Sequence, residues 1–139
     1  MSSPRLLIKR PLGSGSFGDV YEVDRNGQSF ALKVLKSGGV PCIELKEVKL
    51  LVSLRHTNIV KVQTIGSFKK IGATYYELCP KGVGNFGILL ELCDTDLRKK
   101  LEAQVSGVNH QWSLIIVNQL LDGLIFLHQN GVIHRYEYK

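Results

Sequence analysis

Gly13-Ser14-Gly15-Ser16-Phe17-Gly18-Asp19-Val20, followed after one tight turn by Phe30-Ala31-Leu32-Lys33, is the stretch on which the fold turns. Three glycines at the G-x-G-x-x-G spacing let a backbone reverse tightly and bring its N–H groups against phosphate oxygens with no side chain in the way. On either side the pattern is strand-like. Leu6 to Leu12 is a short apolar-rich run, Asp19 to Asp24 carries Val20, Tyr21 and Val23, and Ser29 to Leu35 carries Phe30, Ala31, Leu32, Val34 and Leu35. Between the second and third runs stands Asn26-Gly27, a dipeptide suited to the positive φ angles of a type I′ hairpin turn. The order is therefore strand, glycine turn, strand, tight turn, strand.

That order discriminates among the uses of a glycine-rich turn. A dinucleotide fold needs the glycines to open a helix, with an acidic residue roughly 20 positions further on; here they lead into a strand and a hairpin. A turn that merely joins two strands stays open on the glycines alone. Lys33, fifteen residues after Gly18, is a single cation in an otherwise apolar strand. A half-buried ammonium calls for an anion, either a carboxylate such as Glu47 or a bound phosphate. Taken singly, Lys33 also suits an edge strand facing water and Glu47 a solvated helix face.

Beyond Gly38-Gly39 the period changes. From Pro41 to Arg55, Val48, Leu51, Val52 and Leu54 form one stripe, with Glu44 and Glu47 on a neighbouring face, as in an amphipathic helix. Ile59 to Phe68 and Gly87 to Cys93 read as two further strands. Lys69 to Phe86, with a strand-like patch at Tyr75-Tyr76, reads as an extended hairpin or mobile loop without chemistry. A short polar helix is expected from Thr95 to about Val105. A longer one from Trp112 to about His128 is apolar around most of its circumference and expects cover on nearly all sides. Gly123 interrupts it where close packing is needed, and Asn130-Gly131 suits its C-terminal cap.

The chain has 139 residues, 44% hydrophobic and 22% charged, with 4 prolines, a composition that builds one core. Its 3 cysteines, Cys42, Cys79 and Cys93, show neither C-x-x-C spacing nor paired histidines, which points away from a disulfide framework or zinc site and towards a reducing cytoplasmic or nuclear setting. No apolar run is long enough to span a bilayer, and no signal peptide is apparent, so a soluble protein is expected. The net charge of +6 is dispersed, with small clusters at Lys69-Lys70 and Arg98-Lys99-Lys100, and makes no nucleic-acid stripe.

Together these segments resemble the eukaryotic-type protein kinase domain. The glycine string looks like its phosphate-covering loop, Ala31-Leu32-Lys33 resembles V-A-I-K, and Glu47 to Val60, E-V-K-L-L-V-S-L-R-H-T-N-I-V, resembles its regulatory helix and the following H-P-N-I-V, with Thr57 in place of the proline. Glu47, nine positions before His56, has the register of the family's ion-pair glutamate; Glu44 does not. Ile88 to Cys93 is similar to the fifth strand and hinge. Gln119 to Arg135 is similar to the long helix of the larger lobe and the start of the catalytic loop. The helix and hinge faintly resemble serine/threonine kinases of the cell-cycle and NIMA-related kind.

The resemblance implies an α+β fold, with a five-stranded antiparallel sheet plus one helix and a hinge over residues 1–93, and the first helices of an incomplete larger lobe over 94–139. It implies ATP as ligand, with Gly13, Ser14, Gly15, Ser16, Phe17 and Gly18 over the phosphates and Lys33, positioned by Glu47, on the α- and β-phosphates. Val20, Ala31 and Leu97 would sandwich the adenine. Leu90 would be the gatekeeper, backbone groups of Glu91 and Cys93 would bond the adenine edge, and Asp96 would face the ribose.

The family pattern breaks at His134-Arg135-Tyr136, where H-R-D is expected. Tyr136 replaces the aspartate that would take the substrate proton, and a phenol with a pKa of about 10 is a poor substitute. No family motif holding magnesium follows. Three expectations result: a shortened, inactive kinase product; a nucleotide-holding pseudokinase module using the apolar helix to bind a protein partner or another copy; or a catalytic kinase continuing beyond these residues.

Overall fold

The computed structural model describes residues 5–16, 18–36, 52–80, 83–104, 107 and 109–132. The helix expected between Pro41 and Arg55, including Glu47, falls almost wholly outside these residues, as do Phe17, His134, Arg135 and Tyr136. By contacts the chain divides into two units. One holds residues up to Leu54 together with Lys61–Cys93, and the other holds Arg55–Val60 and the chain from Asp94 onward.

Among the described residues the first unit contains six antiparallel strands: β1 (Arg5–Gly15), β2 (Gly18–Arg25), β3 (Gln28–Leu35), β4 (Val62–Ile71), β5 (Tyr75–Cys79) and β6 (Asn85–Glu91). The β2–β3 hairpin turns where Asn26-Gly27 predicts it, with φ of 54° and 84°, and Asp24 Oδ1 accepts from the Gly27 N–H at 3.0 Å. Arg25 faces Gln28, and that register carries alternate residues of β3 inward. Phe30, Leu32 and Val34 join Leu6, Val23, Phe68, Tyr76 and Leu89 in one core, with Val23 and Leu32 fully shielded from solvent.

Two sequence expectations need correcting here. The five-stranded sheet is a six-stranded closed barrel, in the order β1-β2-β3-β6-β4-β5 and back to β1. The extra strand is β5, within the stretch expected to be a hairpin or mobile loop. It forms because Tyr76 and Leu78 pack towards the core while Tyr75 faces outward, and because Gly72 at φ 60° permits the reversal from β4. The fourth strand also starts at Val62 rather than Ile59. Before it the backbone turns, with Ile59 N donating to His56 O and Asn58 N to His56 Nδ1.

Among the described residues the second unit contains two helices, α1 (Leu97–Glu102) and α2 (His110–Gln129), shifted by a turn or less from the expected spans. Asp96 and Asn109 cap their N-termini, each side chain accepting a backbone N–H at 2.8 Å. At the end of α2, Gly131 (φ 74°) donates to His128 O and Val132 N donates to Leu127 O, a Schellman closure. Gly123 is the buried residue of α2, and a Cβ there would sit 3.3 Å from Asn58 O. Three residues further on, the Phe126 ring lies 4.8 Å from the His56 ring. The rest of the circumference, Leu114, Ile115, Val117, Leu120, Leu121, Leu124 and Ile125, is 39% to 57% exposed, so among the described residues the cover expected on nearly all sides is found beside Gly123 and Phe126.

Candidate functional site

The glycine turn is the end of the β1–β2 hairpin. After a register shift between Pro11 and Gly13, β1 continues through Gly13 and Gly15, with Gly13 opposite Val20, Ser14 opposite Asp19 and Gly15 opposite Gly18. Ser16 lies in the turn itself. Ser14 Oγ and Asp19 Oδ1 share a 2.6 Å hydrogen bond that laces the two strands.

The glycines have different reasons to be glycine. At Gly18 φ is 146°, and a Cβ would overlap the Val34 carbonyl oxygen, so this position is demanded by contact with β3. At Gly13 no atom lies within 4 Å of a would-be Cβ. Its side of the hairpin is open, as close approach of a ligand to backbone requires.

Strand register then assembles the side chains that sequence spacing could only suggest. Directly paired residues share a sheet face. Val20 pairs with Lys33 and Lys33 with Ile88, while Ala31 pairs with Leu90. These five lie on the face of β2, β3 and β6 opposite the barrel core. Ala31 is 9% exposed, and Val20, Lys33, Ile88 and Leu90 are half-buried. The result is an apolar strip with one cation in it, next to the glycine hairpin. The sequence reading has Ile88 as a strand residue without a part in the site; its signal was the period of two that puts it on one face with Leu90.

At the end of β6 the Glu91 N–H donates to Lys61 O at 2.9 Å, and its carboxylate accepts the Lys61 N–H at 3.1 Å. A ligand bonding to this residue's backbone must therefore use its carbonyl. Cys93, two residues on, is exposed with a free thiol. In the second unit Asp96 spends one carboxylate oxygen on the Lys99 N–H as the α1 cap, and Leu97 is 46% exposed. Phe17, Glu47, His134, Arg135 and Tyr136 lie outside the described residues.

One titration is strongly displaced. The Tyr76 phenol is pushed up to about 12, first by burial, then by Tyr21 and, more weakly, by the Asp19 carboxylate. Among the described residues no three His, Cys, Asp or Glu side chains converge in a manner suited to a metal ion, and none of the helices is long and apolar enough to cross a membrane.

Against known proteins, the profile of the family described as "Protein kinase domain" matches residues 6–136. A probable cell division protein kinase of Encephalitozoon cuniculi is 33% identical over 132 residues, which is 89% of this chain and 38% of that protein. Cyclin-dependent kinase 12 of Drosophila melanogaster is 31% identical over 130 residues, covering 89% of this chain and 11% of its own length. The cell division control protein 2 homolog 3 of Trypanosoma brucei brucei is 33% identical over 130 residues, 89% of this chain and 37% of that protein. The chain thus spans well under half the length of each of these relatives. A profile match over nearly every residue, on a glycine hairpin, a strand lysine and a β6 edge in family order, establishes that this chain belongs to the protein kinase domain family.

Proposed function

We propose that the first unit holds ATP and belongs to a protein kinase that transfers the γ-phosphoryl group to a serine or threonine hydroxyl. The observation that carries this reading is the register placing Lys33 between Val20 and Ile88, on a half-buried apolar face beside the open side of Gly13. An ammonium fixed in such a strip attracts a polyanion more strongly than a surface lysine does, because the local dielectric is lower. Backbone N–H groups of Gly13 to Gly18 would take the terminal phosphates. Lys33 would neutralise the α- and β-phosphates and Glu47 would orient it. Val20 and Ala31 would cover the adenine, Leu90 would bound it, and the Glu91 carbonyl and Cys93 backbone would read its edge. Magnesium, when bound, would neutralise charge moving between phosphates; no convergent ligand set for it stands among the described residues.

A second reading has its own support. Tyr136 stands at the family's catalytic aspartate position, and its phenol cannot serve as a base near neutral pH. On that ground the chain binds ATP without efficient transfer and acts as a regulatory module, with the exposed side of α2 as the surface for a protein partner or a second copy. Steady phosphate transfer by this chain to an acceptor protein would exclude this second reading.

The first test is thermal unfolding with and without ATP and magnesium. Ligand at a hundredfold excess over Kd adds about 2.7 kcal/mol to the folded state, a shift of several degrees for a chain of this size. Lys33→Met should remove most of that shift while leaving the melt without ATP in place. An equal shift in wild type and Lys33→Met would refute the assignment.

A further inference from the structure

The strand that closes the barrel pairs with the start of the β1–β2 glycine hairpin from a sequence distance of about seventy residues. An open sheet would leave the outer edge of β1 unpaired, and a strand pair at such an edge frays readily. Here β5 covers it. Arg5 pairs with Glu77, Leu6 with Tyr76 and Leu7 with Tyr75, and the Ile8 N–H donates to Thr74 O at 2.8 Å. The contact continues inside the barrel. Tyr76, 7% exposed, sets its ring 5.6 Å from the ring of Tyr21 on β2, the residue next to Val20. Lys70, the β4 partner of Tyr76, places Nζ 5.7 Å from the centre of the same Tyr21 ring. β2 is therefore held along its length by β3, and the start of β1, Arg5 to Ile8, is held by β5.

From this we infer that the β4–β5 hairpin is a built-in clasp on the glycine hairpin, and that Tyr76 is a positioning residue for nucleotide, acting through Tyr21. The effect on affinity rests on the ATP reading above. The physical basis is preorganisation. A loop whose ordering is already achieved by folding costs less to immobilise when ligand arrives, whereas a fraying hairpin adds that cost to every binding event. The segment read from sequence as lacking chemistry would then set the quality of the site without touching the ligand.

The test uses the full chain, at a temperature well below its melting point, in wild type, Tyr76→Phe and Tyr76→Ala. Two quantities are read: amide hydrogen exchange, peptide by peptide, and Kd for ATP by displacement of a fluorescent ATP analogue. In Tyr76→Ala, exchange over residues 10–22 should quicken at least tenfold while residues 28–35 and 86–91 keep their protection, and Kd should rise fivefold or more. Tyr76→Phe keeps the ring contact and should match wild type in both. A folded Tyr76→Ala with unchanged exchange over 10–22 and unchanged Kd overturns the proposal, as does loosening spread evenly over all strands. Should Tyr76→Ala not fold, wild type alone decides: amides of 5–8 and 75–79 protected as well as those of β3 uphold the clasp, and exchange within seconds overturns it. A wild-type chain with no measurable ATP affinity refutes the ATP reading, and the clasp is then judged on exchange alone.

Discussion

The barrel and helix α2 draw on the same apolar residue types and end in different states. In the barrel Val23, Leu32, Phe68 and Leu89 are at most 2% exposed, and the strand order closes on itself. In α2 Leu114, Ile115, Val117, Leu120, Leu121 and Ile125 are each at least half exposed, and only Gly123 is buried. A closed sheet satisfies its backbone laterally and turns alternate side chains into one enclosed space. A helix satisfies its backbone internally, so nothing in its own hydrogen bonding supplies cover for its side chains. Apolar content therefore fixed the need for burial in both regions, and only in the barrel did topology meet it.

The strongest challenge to this contrast is Gly18→Val. The new side chain meets the Val34 carbonyl at a φ that valine does not adopt, so β2 must leave β3. We expect a loss of more than about 4 kcal/mol, read by urea unfolding; a near-normal midpoint would mean that the hairpin does not lie on β3 as described.

The comparison is sharpened by matched truncations. Leu32→Ala should cost about 3 to 4 kcal/mol, whereas Leu120→Ala, at a side chain 57% exposed, should change stability by less than about 0.5 kcal/mol. Equal losses would show that the open side of α2 is covered in solution.

A third measurement follows unfolding free energy from pH 8 to 12. The folded-state pKa of Tyr76, about 12, lies above the ordinary value of 10.0, so its stabilising contribution is complete below pH 10 and declines as pH rises through 10 towards 12. That fall should be shallower in Tyr76→Phe by an amount on the order of 2 kcal/mol. Identical slopes would place Tyr76 outside the closed core. The smallest effect belongs to the second unit: Asp96→Ala removes the α1 cap and should cost about 1 kcal/mol, seen as faster amide exchange at Leu97 to Lys100 with the barrel unchanged.

Much of this was legible in the residues because it depends on local chemistry. Asn26-Gly27 specified its turn, and the turn fixed the register that puts Lys33 opposite Val20. Asn130-Gly131 announced the end of α2. The family followed from motifs in order, each short and each tied to spacing. Part of what was missed depends on partners far away in sequence. Tyr75-Tyr76 read as a strand-like patch in an extended hairpin or mobile loop; the hairpin is what forms, and its further pairing with Leu6 and Leu7 had no local sign. Gly18 read as one of three equivalent phosphate glycines, while its environment shows a packing demand from Val34. The cap that Asp96 makes on α1, three residues to Lys99, is local and went unread beside its reading for the ribose. His56-Thr57-Asn58 carried no sign of the turn that delays β4 until Val62.

By itself, then, the sequence determined the family, the β1–β2–β3 order, the turn at Asn26-Gly27 and the placing of one cation within an apolar strand, because periodicity and turn chemistry act over a few residues. Tertiary structure alone decided that the sheet closes, that Ile88 joins Lys33 on one face and that Tyr76 meets Tyr21. Those contacts join strands many residues apart, and which edge accepts a strand depends on the shape of the space left inside the barrel rather than on any local pattern.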